Sequence, residues 1–347
     1  MTGKMKTAYL TSLKKIEILE DDIPVIGNNQ VLIKMKHVGI CGSDLHFYEH
    51  GRVGDFVVQY PFVLGHEGGG EVVRVGRDVT SLKEGDRVAM EPGIPCGKCE
   101  FCKAGKYNLC PEVKFWAAPP VKGCLSEYVA YPEEMCFPVA DNMGTMEAAM
   151  IEPLAVGMHA VAQSGYKMGD TAVILGSGCI GLCTLLALQT AGVRNTILVD
   201  MVDSRLKQAK NLGARHTVNA AKADVKEEVF RITNGMGADL VFETAGAKPT
   251  TQTSVGLAKR GGTITIVGMA PDASVEFNFG TLIFNEISIK TVFRYRNIYK
   301  SAVELVGSGA IDIQKVVTNV FKFEECDSAF AKCIADKVNI VKGVIAY

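Results

Sequence analysis

Thr171-Ala-Val-Ile-Leu175 runs straight into Gly176-Ser177-Gly178-Cys179-Ile180-Gly181, and a helical stretch follows. A lone GxGxxG recurs by chance. Here the whole context of the fingerprint is present: a β-branched apolar strand before it, a helix after it, and Asp200 closing the next strand. That context commits this part of the chain to a βαβ unit with parallel strands. Gly176 permits the tight turn, Gly178 lets the backbone approach a pyrophosphate, and Gly181 lets the helix lie against the strand. The helix N-terminus faces such a phosphate with free N–H groups and a positive dipole end. Asp200 accepts hydrogen bonds from ribose hydroxyls and repels a 2′-phosphate, so the pattern predicts NAD over NADP. Arg205 is of the type that accommodates that phosphate and stands against this preference.

The alternation continues beyond the fingerprint. Expected elements are a helix over 179–191, a strand over 196–200, a helix over 204–212, strands over 240–243 and 263–267, and a helix over 252–259. Before Glu152-Pro153 the pattern has a different period. Segments such as KTAYL, KIEIL, QVLIKMKHVGI, GEVVRVG, DRVAMEP and LSEYVAYP alternate apolar and polar residues between Gly-rich and Pro-rich turns, as half-buried strands do. A mainly β domain with long loops is therefore expected ahead of the α/β one. From about residue 293 the tail returns to mixed helix and strand.

With 347 residues the chain has room for two domains. A net charge of -1 offers no electrostatic footprint for nucleic acid or an anionic membrane surface. No apolar run approaches the roughly 20 residues of a membrane span, and the first residues lack the apolar core of a signal peptide. The eleven cysteines then read as thiols or metal ligands of a reducing, cytoplasmic compartment rather than as disulfides.

Four of those cysteines cluster. Cys96, Cys99 and Cys102 recur at intervals of three, and Cys110 follows closely. Four thiolates at this spacing suit a closed tetrahedral zinc site, which leaves no coordination position open and is structural. An iron–sulfur cluster is the rival occupant. A second set of ligand types is scattered: Cys41, then His66-Glu67, then Glu152 beside Pro153. Thiolate, imidazole and carboxylate are the groups zinc takes most readily. Taken singly, each has a plainer use as a small buried residue, a hydrogen-bonded histidine or a charge at a helix end.

In this order, GICGSD, GHEGGGEVVRVG, GDRVAMEPG, the four-cysteine lobe and GSGCIG resemble the zinc-dependent medium-chain dehydrogenase/reductase family. The resemblance spans nearly the whole chain. FWAAPPVKGCLSEYV, MIEPLAVGMHA and VFRYRNIY are similar to its polyol branch, the sorbitol (L-iditol 2-) and xylitol dehydrogenases. It implies an α/β protein with a mainly β, GroES-like catalytic domain over 1–154 and 293–347 and a Rossmann NAD-binding domain over 155–292. It also implies two zinc ions per chain, a small polyol or ketose substrate and a homotetramer. Cys41, His66 and Glu67 would hold the catalytic ion, with Glu152 bonding its water or approaching the ion. Cys96, Cys99, Cys102 and Cys110 would hold the structural one. Ser43 matches the hydroxyl that passes protons. Ile180, Asp200, Arg205, the Val267-Gly268-Met269 turn and Val292-Phe293 match cofactor contacts, and Arg294 and Tyr295 match polyol contacts.

Two departures qualify the match. Phe47 stands where mammalian sorbitol dehydrogenases carry a substrate-facing tyrosine, so one hydroxyl is missing. All four lobe cysteines are present, as in microbial and insect members and unlike the mammalian ones. Butanediol, threonine and general secondary-alcohol dehydrogenases share the CGSD and GHE motifs and remain alternatives. A non-catalytic NAD-sensing module is a more distant one.

Overall fold

Gln30–Gly39 reads QVLIKMKHVG, an apolar-rich strand whose Val31, Ile33, Met35 and Val38 are all fully buried. In the computed structural model, which describes residues 3–270 and 274–347, it is the centre of a seven-stranded sheet. The path runs Cys136–Pro138, Arg87–Met90, Glu67–Val75, Gln30–Gly39, Gly343–Ala346 and Asn319–Lys322, and Tyr128–Pro132 also pairs with Gln30–Gly39. The last two path strands come from the C-terminal tail, so the tail is built into this sheet rather than appended to it. The chain divides accordingly into two units, Met1–Glu152 with Tyr299–Tyr347, and Pro153–Ile298.

The register of this sheet matters for the chemistry. Gln30–Gly39 and Glu67–Val75 run antiparallel with Gly39 opposite Glu67. The residue just past the end of one strand and the residue just before the start of the other are therefore neighbours. Ile40 and His66 occupy those places, and Cys41 follows one residue further on, so the ladder brings Cys41 and His66 together across the sequence gap. A short helix, Gly42–His50, follows Cys41 directly. The reading of a domain of strands and loops did not include it, because Gly42 and the two histidines are poor helix formers. It is held by packing and caps instead. Asp44, Phe47 and Tyr48 are buried on one side, and left-handed Gly51 ends it with a bond from its amide to the Phe47 carbonyl.

The second unit is a six-stranded parallel sheet. Its order is His216–Asn219, Asn195–Asp200, Thr171–Leu175, Ala238–Glu243, Ala258–Ile266 and Ser288–Thr291, the doubly wound arrangement. The helix after the fingerprint, Cys179–Thr190, is apolar on all sides and correspondingly buried from Gly181 to Leu188. Each unit has its own apolar core. The helix expected over 252–259 is displaced: it spans Lys248–Ser254, and Ala258 already opens a strand. Pro249 starts the helix early, where its missing N–H costs nothing. Gly256 ends it, and the β-branched run Thr263–Ile266 draws the rest into the sheet beside Ala238–Glu243. No helix among the described residues is long and apolar enough to cross a membrane.

Candidate metal centres and dinucleotide site

Cys41, His66 and Glu67 each present one ligand atom, and these atoms all lie within 4.8 Å of one another. Cys41 is the residue immediately ahead of the Gly42–His50 helix. Gly39, opposite Glu67, leaves room for the carboxylate: a Cβ there would stand within 1.9 Å of Glu67 Oε2. Ser43 lies in the first turn of the same helix and is partly exposed.

Two buried charges that the sequence reading did not single out complete this site. Asp44 is fully buried. Its Oδ1 accepts the Gly65 amide at 3.0 Å, and its Oδ2 accepts the Cys41 amide at 3.2 Å and lies 3.5 Å from His66 Nδ1. Burial pushes the Asp44 carboxyl up, but His66 and the two amides outweigh it and hold it below its ordinary value. The same partnership holds His66 well above its ordinary value: burial lowers it, and Asp44 and Cys41 more than compensate. Lys342, from the tail, pairs with Glu67 Oε2 and donates to the Ile40 carbonyl at 3.1 Å. Both side chains of that pair are at most 3% exposed, so it is a buried ion pair rather than a surface one. The motif GHE shows the ligand types. Nothing local to it reveals that a lysine from the far end of the chain touches Glu67.

Glu152 is buried in the first turn of the helix Ile151–Ser164 and is not one of the three donors within 4.8 Å. It lies close enough to Glu91 to disfavour a second charge. Burial first and Glu152 next push the Glu91 carboxyl up to about 7, while the Tyr107 hydroxyl, 2.8 Å from its Oε1, acts in the opposite direction. Tyr131 donates to the Glu91 carbonyl at 2.8 Å. Glu91 sits inside the GDRVAMEPG motif but carried no assignment from sequence.

Cys96, Cys99, Cys102 and Cys110 form the second group of donors within 4.8 Å. Backbone amides point at the sulfurs: Cys99 N lies 3.4 Å from Cys96 Sγ, Cys102 N 3.5 Å from Cys99 Sγ, and Cys96 N 3.4 Å from Cys110 Sγ. The amides of Lys98 and Cys99 bring the Cys96 thiol down to about 7, whereas burial and the neighbouring thiols push Cys102 up to about 12. Sulfurs this close do not all ionise unless a cation lies among them. Tyr107, the partner of Glu91, belongs to this same lobe, between Cys102 and Cys110.

The fingerprint turn opens on a cavity of about 640 Å³ lined by Leu175, Gly176, Asp200, Arg205, Ala245 and Thr250 among others. A Cβ on Gly181 would meet the Gly176 carbonyl at 1.9 Å, so the helix is in backbone contact with the turn, whereas the space beyond Gly178 is open. Asp200 accepts the amides of Ser177 (2.8 Å) and Val202 (3.0 Å), and Arg205 lies 3.9 Å from it. Ile180 is partly buried in the first turn of the helix. Val267 and Gly268 donate to the Glu243 carbonyl, Met269 is exposed, and Val292 donates to Ile266 at the end of the neighbouring strand. Beyond it, Arg294 stacks over the exposed Phe293 ring, 4.7 Å from its centroid, with a left-handed backbone (φ 55°). Tyr295 is buried. These residues belong to the second unit. In the first unit, Phe47 lies in the apolar core, and neighbouring Tyr48 spends its hydroxyl on the Lys14 carbonyl (2.9 Å) and Asp327 (3.1 Å).

Residues 27–141 match the model of the alcohol dehydrogenase GroES-like domain, and residues 179–308 match that of the zinc-binding dehydrogenases. Sorbitol dehydrogenase of Bacillus subtilis is 40% identical over 98% of this chain and 97% of its own. D-xylulose reductase A of Aspergillus niger is 40% identical over 94% and 93%. Among solved structures, an Escherichia coli oxidoreductase/dehydrogenase of unknown specificity superposes with a TM-score of 0.96 at 42% identity, covering 99% of each chain.

Proposed function

The chain belongs to the zinc-type medium-chain dehydrogenases, in their polyol branch, and from that premise we propose that it oxidises a sugar alcohol at C2 to the ketose with NAD. The observation that carries the reading is the convergence of Cys41, His66 and Glu67 within 4.8 Å. Thiolate, imidazole and carboxylate are a donor set suited to zinc, and three donors leave a coordination position free. The four thiols of the lobe fit a closed, structural ion.

Cys41, His66 and Glu67 would hold a zinc ion, which when bound would supply Lewis acidity toward an alcohol hydroxyl. The protein orients and balances that site. Asp44, at His66 Nδ1, fixes the ring so that Nε2 presents its lone pair. Lys342 occupies one oxygen of Glu67 and leaves the other for the metal. Ser43 would relay the alcohol proton, releasing its own hydroxyl proton as it accepts the new one, and Glu152, buried beside Glu91, would organise the onward path as a neighbour of the ion rather than as a permanent ligand. NAD supplies the hydride acceptor, held by Gly176, Gly178, Ile180, Gly181, Asp200 and Arg205, with Val267, Gly268, Met269, Val292 and Phe293 toward its reactive end. Arg294 and Tyr295 contact the polyol hydroxyls, and Phe47, packed in the apolar core, brings the substrate no hydroxyl of the kind a tyrosine would offer. All eleven cysteines are free, which suits a reducing cytoplasm. The working assembly is a homotetramer, testable by light scattering.

The test is a panel of sorbitol, xylitol, L-iditol, ribitol, arabitol, 2,3-butanediol and simple secondary alcohols, with NAD and NADP, reporting kcat/KM. Highest values for a polyol with NAD are expected. Turnover of simple secondary alcohols alone would overturn the polyol assignment.

A further inference from the structure

Glu243 takes no part in the reaction above, yet it is a fully buried carboxyl at the edge of the cofactor cavity. It closes the strand Ala238–Glu243, between Thr171–Leu175 and Ala258–Ile266. Its Oε1 accepts the amides of Ala245 (3.1 Å) and Gly246 (3.0 Å) and the hydroxyl of Thr250 (2.7 Å), and its Oε2 lies 3.3 Å from the Gly246 amide. Its carbonyl accepts Val267 N at 2.8 Å and Gly268 N at 3.0 Å. One residue thus gathers the loop 244–247, the first turn of the helix Lys248–Ser254, and the 267–269 turn.

The far side of that loop is tied to the fingerprint. Thr244 N and Oγ1 each reach the Leu175 carbonyl at 2.9 Å, and Oγ1 lies 3.1 Å from the Gly176 carbonyl. Ala245, Ala247 and Thr250 then form a wall of the same cavity that Gly176 and Asp200 line. Glu243 itself stays behind the wall. Burial pushes its carboxyl up, and the Thr250 hydroxyl and loop amides oppose that. A side chain without an acceptor here leaves the part-buried amides of Ala245 and Gly246 to find new partners and leaves the Thr250 hydroxyl only the Ala247 carbonyl at 2.8 Å, so the loop re-pairs by moving.

We propose that Glu243 is a positioning residue for the dinucleotide: its carboxyl holds the 244–247 wall at the spacing the cofactor needs against the fingerprint, while its backbone carbonyl anchors the 267–269 turn beside it. This rests on the NAD reading of the cavity. The experiment is fluorescence titration of the full-length zinc-loaded protein with NADH, for wild type, Glu243→Ala, Glu243→Gln and Thr250→Val, alongside polyol KM at saturating NAD and zinc content. Glu243→Ala raises the Kd for NADH about tenfold or more, while Glu243→Gln, which keeps a carbonyl oxygen for the three donors, recovers to within about threefold of wild type. Polyol KM and zinc content stay at wild-type values. Thr250→Val, which removes one donor and folds without the larger disturbance, raises Kd about threefold and carries the test if the alanine variant does not fold. Wild-type affinity in Glu243→Ala or in Thr250→Val overturns the proposal, as does a parallel rise in polyol KM or loss of zinc. Absence of NADH binding by the wild type overturns the NAD reading itself, and the proposal with it.

Discussion

Glu152 and Glu91 show how a single carboxylate is read differently in a sequence and in a fold. Glu152 drew attention as a fourth donor, yet the three groups that converge are Cys41, His66 and Glu67. Glu152→Ala should therefore cut kcat by about tenfold or more, the scale of a lost proton-handling group, with two zinc ions per chain retained by metal analysis. Loss of an ion in that variant would make Glu152 a ligand. Glu91 is the reverse case, unremarked in the sequence and buried beside Glu152 in the fold. Its folded value of about 7 lies above its ordinary 4.5, so the native state prefers the protonated form. Its contribution to stability is fully present below about pH 4.5 and lost as pH rises through about 7. In zinc-stripped protein, Glu91→Gln should be more stable than wild type at pH 8, by at most ~3 kcal/mol, and denaturant melts should show the gap closing toward pH 5. A gap independent of pH would mean that Glu91 does not titrate in this range. At the cofactor, Asp200→Asn keeps one of the two oxygens that accept the Ser177 and Val202 amides and removes the charge. The ratio of kcat/KM for NADP over NAD should rise about tenfold or more, aided by Arg205.

At the scale of elements, the regular pieces were legible wherever a local pattern had a local cause. The fingerprint strand and helix, and the alternating strands ahead of residue 140, follow from side-chain period alone. The helix Gly42–His50 was not legible, because its stability comes from buried Asp44, Phe47 and Tyr48 and from caps. The shifted helix Lys248–Ser254 shows the same limit: its boundary is set by the strand that claims Ala258 onward. The four-cysteine lobe is an element of another kind, with only the short helical turns Glu100–Lys103 and Tyr107–Leu109 among its thiols. Its order should depend on the ion. Cys110→Ser should lower zinc content from about two to about one per chain, since a structural zinc site contributes folding energy outright. Limited proteolysis should then cut within residues 97–109. Because Tyr107 links the lobe to Glu91, turnover should fall as well. Full activity with one zinc would show that the lobe and the site are independent.

For the whole molecule, two cores and two units mean that metal and dinucleotide draw on different parts of the fold. Zinc-stripped protein should still bind NADH, and saturation at about 100 times Kd should raise stability by ~2.7 kcal/mol by mass action, read as a shift in the melting midpoint. A shift that vanishes with the metal would contradict that separation. The amino-acid sequence by itself determined the α/β class, the family and the chemical types present, because each of these is carried by short spacings: GxGxxG after a strand, cysteines at intervals of three, and GHE. Only the tertiary structure decided which of those groups meet. The antiparallel register that sets Gly39 opposite Glu67 joins Cys41 to His66, and the tail strand Gly343–Ala346 sets Lys342 against Glu67. The loop beside the fingerprint closes around the buried carboxyl of Glu243. The physical reason is that local spacing fixes only what lies within a turn or a strand, whereas burial pairs charges from opposite ends of the chain, and no residue type announces its distant partner.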